Sequence, residues 1–132
     1  MAANPFLGFW HIESMELWEP EWLNMVVHAF IEFEKQPGGE FLFGIVSGGL
    51  DYCVSVRGTE PLAEWSWEGV AENDPACGRG WALLRDGSLT GRFYIHGSDD
   101  SAFVAVRPGS REQRMRAGIV RPRTERRRPV PR

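Results

Sequence analysis

Hydrophobic and polar residues alternate with a period of two along most of the chain, which is typical of strands with one buried and one exposed face. In residues 50–57, for example, Leu50, Tyr52 and Val54 share one face, whereas Asp51 lies on the other. The same alternation occurs in seven other segments, at residues 8–12, 27–34, 41–46, 62–69, 78–85, 89–96 and 101–107. The pattern therefore predicts eight strands in simple succession.

Short glycine- or proline-containing stretches separate these segments and predict turns between neighbouring strands. The predicted turns fall at residues 36–39, 47–49, 58–61, 70–78, 86–88 and 97–100, and a helical turn is expected within residues 19–25. Half-polar strands joined in this way favour an antiparallel sheet, and eight of them leave two exposed edges unless the sheet closes. We therefore predict an all-β, eight-stranded antiparallel up-and-down barrel, with an eight-stranded sandwich as the alternative.

The chain has the length and composition of one globular domain. It contains 132 residues, of which 42% are hydrophobic, and only two cysteines, Cys53 and Cys77. No apolar run is long enough to span a membrane, and no signal peptide is recognisable at the N-terminus. Two cysteines cannot build a disulfide framework, so the expected location is the cytoplasm, with both thiols reduced.

Charge divides the chain into two parts of opposite sign. Residues 1–106 carry 16 acidic and 5 basic side chains, whereas residues 107–132 carry 10 arginines and 2 glutamates. The second part is also rich in proline and poor in large apolar residues, a composition that does not support a packed core. We therefore predict a barrel over residues 1–107 and a disordered, arginine- and proline-rich tail over residues 108–132.

The tail suggests an interaction function as an alternative to ligand binding. Its arginines could neutralise phosphates, but it lacks aromatic residues that would stack on bases. The acidic barrel beside it would also repel a nucleic acid. The expected partner is therefore an acidic protein surface, on this chain or on a second copy, while nucleic acid is the less favoured partner and no membrane contact is expected.

Three residues carry a family resemblance. Gly8 and Trp10 form a Gly-x-Trp motif on the first strand, and Arg107 ends the last strand. This combination resembles the calycin superfamily of lipocalin-like barrels, and also bacterial calycin-like proteins whose function is open. The resemblance implies that the motif lies at the closed end of the barrel with the arginine stacked on the indole. Extracellular transport is not implied, because the signal peptide, disulfide and C-terminal helix of secreted lipocalins are missing.

The other end of the predicted barrel carries an acidic mouth. Alternate connections of an up-and-down barrel lie at the same end, which groups the loops at 14–25, 47–49, 70–78 and 97–100. The acidic mouth comprises Glu68, Glu72, Asp74, His96, Asp99 and Asp100. Three interpretations stay open: a solvated rim, a cation site, or a docking surface for a basic partner. No metal site or cofactor is predicted, because the spacing matches no established metal-binding loop.

His96 provides the alternative of a hydrolase-like enzyme. It precedes Asp99, Asp100 and Ser101 in one turn, which supplies a base, carboxylates and a hydroxyl. Residues this close in sequence more often shape the turn through bonds to its backbone. His11 and His28 are expected on outer strand faces. No catalytic residue is therefore predicted, and the protein is interpreted as non-catalytic.

Aromatic residues favour ligand binding inside the barrel as the leading function. Ten of them are expected to point inward, namely Trp10, Phe33, Phe41, Phe43, Tyr52, Trp65, Trp67, Trp81, Phe93 and Phe103. The predicted site is lined by Trp18, Tyr52, Trp65, Trp67 and Trp81 and would bind a small, partly apolar molecule. Glycines among the predicted inward positions would leave a slot for a flat ligand. The alternative is a core in which these rings fill the barrel completely, the commoner use of aromatic residues. An eight-stranded barrel is wide enough for either outcome.

Overall fold

The computed structural model describes residues 3–109 and shows a closed antiparallel barrel of eight strands. Each strand pairs with its neighbour in sequence, and the first strand pairs with the last. The strands are β1 (Gly8–Met15), β2 (Phe30–Phe33), β3 (Gly38–Phe43), β4 (Val46–Arg57), β5 (Glu60–Ala71), β6 (Asp74–Arg85), β7 (Ser88–Ile95) and β8 (Asp100–Val106). The predicted up-and-down barrel is confirmed, and the sandwich alternative is wrong.

One short helix, α1 (Pro20–Leu23), lies in the connection between β1 and β2. Pro20 stands in its first turn, where its missing N–H group costs no intrahelical hydrogen bond. Within residues 3–109, no helix is long and apolar enough to cross a membrane. The predicted tail, residues 108–132, lies outside the described residues except for its first two positions.

Two predicted turns are wrong because their glycines belong to strands. Residues 47–49 lie inside β4, and most of 70–78 belongs to β5 and β6, so the actual turns are at 44–45 and 72–73. A Cβ atom on Gly48 would lie 2.5 Å from the Glu68 carbonyl oxygen, so glycine permits close approach of β4 and β5 here. At this position glycine therefore allows two strands to pack closely and does not mark a turn.

The second strand is shorter than predicted. It begins at Phe30, so Val27 lies in the preceding connection and packs with Phe30 and Leu42 in a small cluster separate from the barrel core. Period-two alternation over residues 27–34 predicts that Val27, Ala29 and Ile31 all point into the barrel. The prediction is wrong for Val27, whereas Ala29 and Ile31 do belong to the barrel core.

The closed end of the barrel is built around Trp10. The Arg107 guanidinium lies 3.9 Å from the centroid of the Trp10 ring, the arrangement implied by the calycin resemblance. Arg107 also donates hydrogen bonds to the carbonyl oxygens of Pro5, Leu7 and Phe9 at 2.8–3.3 Å. These bonds tie the end of β8 to the start of β1 and thereby help to close the sheet.

Gly8 is required at this closure for two reasons. Its φ of +114° is unfavourable for any residue with a side chain, and a Cβ atom there would lie 2.7 Å from Nη1 of Arg107.

Phe6 fills the same end of the barrel. Its side chain is fully buried, and its carbonyl oxygen accepts a hydrogen bond from the Trp10 indole at 2.8 Å. The end containing the turns at 34–37, 58–59 and 86–87 is therefore sealed.

Candidate functional site at the barrel mouth

Four connections meet at the opposite end of the barrel, which is the predicted mouth. They are residues 16–29, 44–45, 72–73 and 96–99. The residues of the predicted acidic mouth are all exposed at this end or on the adjoining strand ends, namely Glu68, Glu72, Asp74, His96, Asp99 and Asp100. Glu16, Glu19 and Glu21 of the longest connection are exposed as well.

Trp18 and Trp22 cover the mouth and are named here the tryptophan lid. Their ring centroids lie 4.9 Å apart with an interplanar angle of 26°. Trp18 also stacks on the buried ring of Phe43, at 5.5 Å and 29°. Trp22 and Phe43 also contact each other, with ring centroids 6.4 Å apart and an interplanar angle of 53°. The three rings therefore form a compact triangular cluster in which Trp18 is nearly parallel to both neighbours.

Gly44 provides the space for the lid. It turns the chain between β3 and β4 with a φ of +58°, and a Cβ atom there would lie 2.3 Å from the Trp22 ring. Its N–H group donates a hydrogen bond to the Leu23 carbonyl oxygen at 2.8 Å. Because Leu23 is also buried, α1 is fixed to the barrel on the side that carries Trp22.

Below the lid, two of the predicted ligand-binding tryptophans pack against glycines of β6. Trp65 pairs with Gly80 and Trp67 pairs with Gly78. A Cβ atom on Gly80 would lie 2.6 Å from the Trp65 indole, and one on Gly78 would lie 2.8 Å from the Trp67 indole nitrogen. The space that the glycines leave is therefore occupied by the protein's own tryptophans.

The middle of the barrel is also bridged by aromatic contacts. Phe41 on β3 and Phe93 on β7 belong to strands on opposite sides of the eight-stranded barrel, yet their ring centroids lie only 4.8 Å apart. Trp67 contacts Phe41 at 5.0 Å, and Trp65 contacts Phe93 at 5.4 Å. These contacts favour the filled-core alternative at this level and leave the mouth as the place where a ligand could bind.

Tyr52 lies far from the mouth. Its hydroxyl donates to the Glu34 carbonyl oxygen and accepts a hydrogen bond from the Asn4 amide at 2.8 Å, both at the closed end. Burial raises the pKa of Tyr52 above its ordinary value, and the negative charge of Glu34 acts in the same direction, while the hydrogen bond from Asn4 opposes them. Tyr52 therefore seals the barrel rather than lining its mouth.

Trp81 lies on the outside of the barrel, so its prediction as an inward-facing ligand contact is wrong. Its neighbours in β6, Gly80 and Ala82, face inward and are buried, whereas the Trp81 ring lies 5.3 Å from the Arg57 guanidinium on the outer wall. The other aromatic residues predicted inside are buried there: Trp10, Phe33, Phe41, Phe43, Tyr52, Trp65, Trp67, Phe93 and Phe103.

The residues of the hydrolase-like alternative have separate partners. Asp100 accepts a hydrogen bond from Arg92 at 2.9 Å, and fully buried Ser101 accepts one from the Leu17 backbone at 3.1 Å. The backbone N–H group of His96 donates a hydrogen bond to the Cys77 carbonyl oxygen at 2.8 Å. His96 and Asp99 line a surface cleft of about 320 Å³, but Ser101 faces the core instead of this cleft. The turn therefore does not bring a nucleophile, a base and an acid together at one site.

The sequence analysis missed two groups on the outer wall. His11 and His28 contact each other edge to face, with ring centroids 3.2 Å apart. Glu32, Glu34 and Glu40 offer carboxylate oxygens within 4.8 Å of one another. The glutamates meet because Glu32 pairs with Glu40 across β2 and β3, and this register is not readable from the sequence pattern.

Comparison with protein-family models, with curated proteins and with solved structures finds no match to this chain. The described residues themselves define a class: a small closed β-barrel with an aromatic interior, a sealed end, and a mouth covered by two tryptophans. Any function must be argued from that mouth and from the outer wall.

Proposed function

We propose that this protein is a non-catalytic binding protein whose ligand takes the place of the Trp18 ring against Trp22 and Phe43. The ligand is small, flat and partly apolar. The observation that carries the proposal is the aromatic cluster in which Trp18 stacks on two other rings, at 4.9 Å from Trp22 and 5.5 Å from Phe43. Offset stacking of this kind stabilises any flat ring of similar size, so a ligand ring gains the same contacts.

The backbone contacts around the lid support exchange of the Trp18 ring by side-chain rotation. Ser101 holds the backbone of Leu17, immediately before Trp18, while Gly44 holds Leu23 at the end of α1. Trp18 lies between these two anchors and is half-buried. Its side chain can therefore rotate into solvent without breaking either hydrogen bond, which keeps the cost of admitting a ligand low.

The charge of the mouth selects among flat ligands. Glu16, Glu19 and Glu21 are exposed in the connection that carries the lid, and Glu72 is exposed in the neighbouring turn. A carboxylate-rich rim attracts cations and repels anions. The proposed ligand is therefore a neutral or positively charged aromatic molecule, and an anionic one is disfavoured.

Membership of the calycin superfamily and a cytoplasmic location are part of this proposal. The stacking of Arg107 on Trp10 beside Gly8 supports the family, since the resemblance implies this arrangement. Cys53 and Cys77 are both exposed and unpaired with each other, which supports a reducing location. Expression with a fluorescent tag in the native host and imaging of its position test the location.

The ligand proposal is tested by calorimetric titration with indole, its cationic derivative tryptamine and its anionic derivative indoleacetate. We expect saturable binding in the order tryptamine, indole, indoleacetate. Trp18→Ala should bind about tenfold more tightly, because the competing ring is gone, and Trp22→Ala should bind severalfold more weakly, because one stacking partner is lost. Trp81→Phe, on the outer wall, is the matched control and should bind like the unchanged protein.

The opposite effects of the two lid substitutions separate this proposal from nonspecific apolar binding, which both substitutions would change in the same direction. The proposal is wrong if neither the unchanged protein nor Trp18→Ala shows saturable binding of any of the three compounds. It is also wrong if Trp81→Phe changes the affinity as much as Trp22→Ala does.

A further inference from the structure

The outer wall of β1–β3 carries an apolar surface that the barrel core does not explain. Phe30 and Leu42 point outward but are only 2% and 3% exposed, because Val27 of the preceding connection packs on them. Phe9, next to them on β1, is half-buried and stacks on Phe30 at 5.1 Å and 16°. Leu7, in the segment that enters β1, is 49% exposed, so the accessible apolar part of this wall is Phe9 and Leu7.

Acidic residues border this apolar surface. Phe9 pairs with Glu32 across β1 and β2, and Glu32 pairs with Glu40 across β2 and β3. Together with Glu34, these residues bring three carboxylate groups within 4.8 Å of one another. We name the outer face formed by Leu7, Phe9, Glu32, Glu34 and Glu40 the outer patch. It combines apolar side chains with a concentrated negative charge, which suits a segment that is both basic and partly apolar.

The chain leaves the barrel beside this outer patch. β8 pairs with β1, and Arg107 is held at the start of β1 by the carbonyl oxygens of Pro5, Leu7 and Phe9. The described residues end at Gly109. Residues 110–132 contain nine arginines and two glutamates, and they place Met115, Ile119 and Val120 among the arginines.

We propose that residues 110–132 dock on the outer patch of the same chain. In this arrangement arginines of the segment pair with Glu32, Glu34 and Glu40, and Met115 and Ile119 cover Phe9 and Leu7. Neighbouring strands are about 4.8 Å apart, so β2 lies about 10 Å from β8. An extended chain advances about 3.3 Å per residue, so three or four residues beyond Gly109 reach the carboxylates.

The outer patch is a nearer partner for the segment than the acidic mouth. The mouth lies at the other end of β8, whose seven residues span about 23 Å. Docking on the outer patch is independent of ligand binding under the tryptophan lid, because the two surfaces share no residue.

Trypsin cleavage of the full-length protein tests the docking, because trypsin cuts after arginine and docked arginines are protected. Tail fragments are followed by mass spectrometry at low and high salt. We expect slow cleavage at low salt and faster cleavage at high salt, because salt screens exposed ion pairs. Glu32→Gln, Glu34→Gln and Glu40→Gln combined should accelerate low-salt cleavage at least about threefold, consistent with three exposed pairs.

The matched control combines Asp51→Asn, Glu64→Gln and Asp86→Asn, which removes the same charge from the outer face of β4 and β5 and from the turn after β6. It should leave tail cleavage unchanged, whereas Leu7→Ser should accelerate it. Equal cleavage of both triple variants and the unchanged protein would overturn the proposal. Protection that increases with protein concentration would assign the outer patch to a second copy, and protection that appears only with added RNA or DNA would assign the segment to nucleic acid.

If the triple variant at the outer patch does not fold, the unchanged protein still decides the question. Cleavage after tail arginines is then compared with cleavage of a synthetic peptide spanning residues 110–132 under the same salt conditions. Slower cleavage in the protein than in the peptide, lost at high salt, supports docking. Identical rates at low salt contradict it.

Discussion

At the scale of single residues, the interior of this barrel depends on glycines that face tryptophans. Gly78 and Gly80 on β6 lie opposite Trp67 and Trp65 on β5. A glycine on one strand allows an indole of the neighbouring strand to pack against the wall, which fits a wide ring into a narrow barrel. These glycines therefore determine which aromatic residues fit inside.

Substitution of Gly78 tests this dependence. In Gly78→Ala the new Cβ atom would lie 1.8 Å from the Tyr94 carbonyl oxygen, and a backbone atom cannot move aside as a side chain can. We expect the free energy of unfolding to fall by about 2–3 kcal/mol, typical of overpacking. Gly49→Ala is the control, since its nearest neighbour would be 3.7 Å away, and its stability should change by less than about 1 kcal/mol. Urea denaturation measures both, and equal losses would contradict the argument.

At the scale of secondary-structure elements, barrel closure depends on the contact between β1 and β8. Their pairing is irregular between Ile12 and Ser14, where the register shifts. Arg107 strengthens this seam from the closed end, because one guanidinium bridges three carbonyl oxygens of the segment that enters β1. Burial lowers the pKa of Arg107, but a guanidinium remains charged at neutral pH.

Substitution of Arg107 should therefore weaken the seam between β1 and β8. We expect Arg107→Ala to lower the free energy of unfolding by about 1–2 kcal/mol, through loss of the cation–π contact and the hydrogen bonds. Arg107→Lys keeps the charge but not the planar fork, so it should recover only part of this loss. Hydrogen exchange should show the added opening mainly in β1 and β8. Full recovery by lysine would mean that charge alone is important at this position.

At the scale of the whole molecule, the two ends of the barrel differ in how tightly they are closed. The closed end is sealed by Phe6, by Trp10 and by the Tyr52 hydroxyl, which connects Asn4 to the turn after β2. Within residues 3–109, the mouth is covered by the half-buried side chains of the lid. A ligand is therefore expected to enter at the mouth, while the closed end contributes stability.

The seal at Tyr52 predicts a loss of stability at alkaline pH. Burial raises the pKa of Tyr52 in the folded protein, whereas an unfolded tyrosine titrates near its ordinary value of about 10. Above that pH the unfolded chain ionises first, so stability that is present below about pH 10 decreases as the pH rises toward the folded pKa. Tyr52→Phe should be less stable at neutral pH by about 1 kcal/mol but should show a flatter alkaline decline.

The measurement is urea denaturation at a series of pH values, with Tyr94→Phe as the control. Tyr94 is half-buried on the outer wall, where its ring lies under Arg79. The control should keep the alkaline decline of the unchanged protein. An equally steep decline in Tyr52→Phe would show that another group causes the loss of stability.

The sequence by itself determined the number and order of the strands. Period-two alternation marks strands locally, and short connections between eight successive strands leave closure as the way to avoid free edges. Strand number and order depend on local pattern and chain order, which are explicit in a sequence. The closing role of Gly8, Trp10 and Arg107 was expected only because these residues resemble the calycin motif.

Only the tertiary structure decided what fills the barrel. The face of Trp81 was predicted wrongly because hydrophobicity favours placing a tryptophan inside, while the true inward residues of that strand, Gly78 and Gly80, carry no hydrophobic signal. The turn predicted at 47–49 failed for a related reason, since glycine permits both chain reversal and close strand contact. Strand register determines which residues face each other across the barrel, and register is set by packing between strands that are distant in sequence.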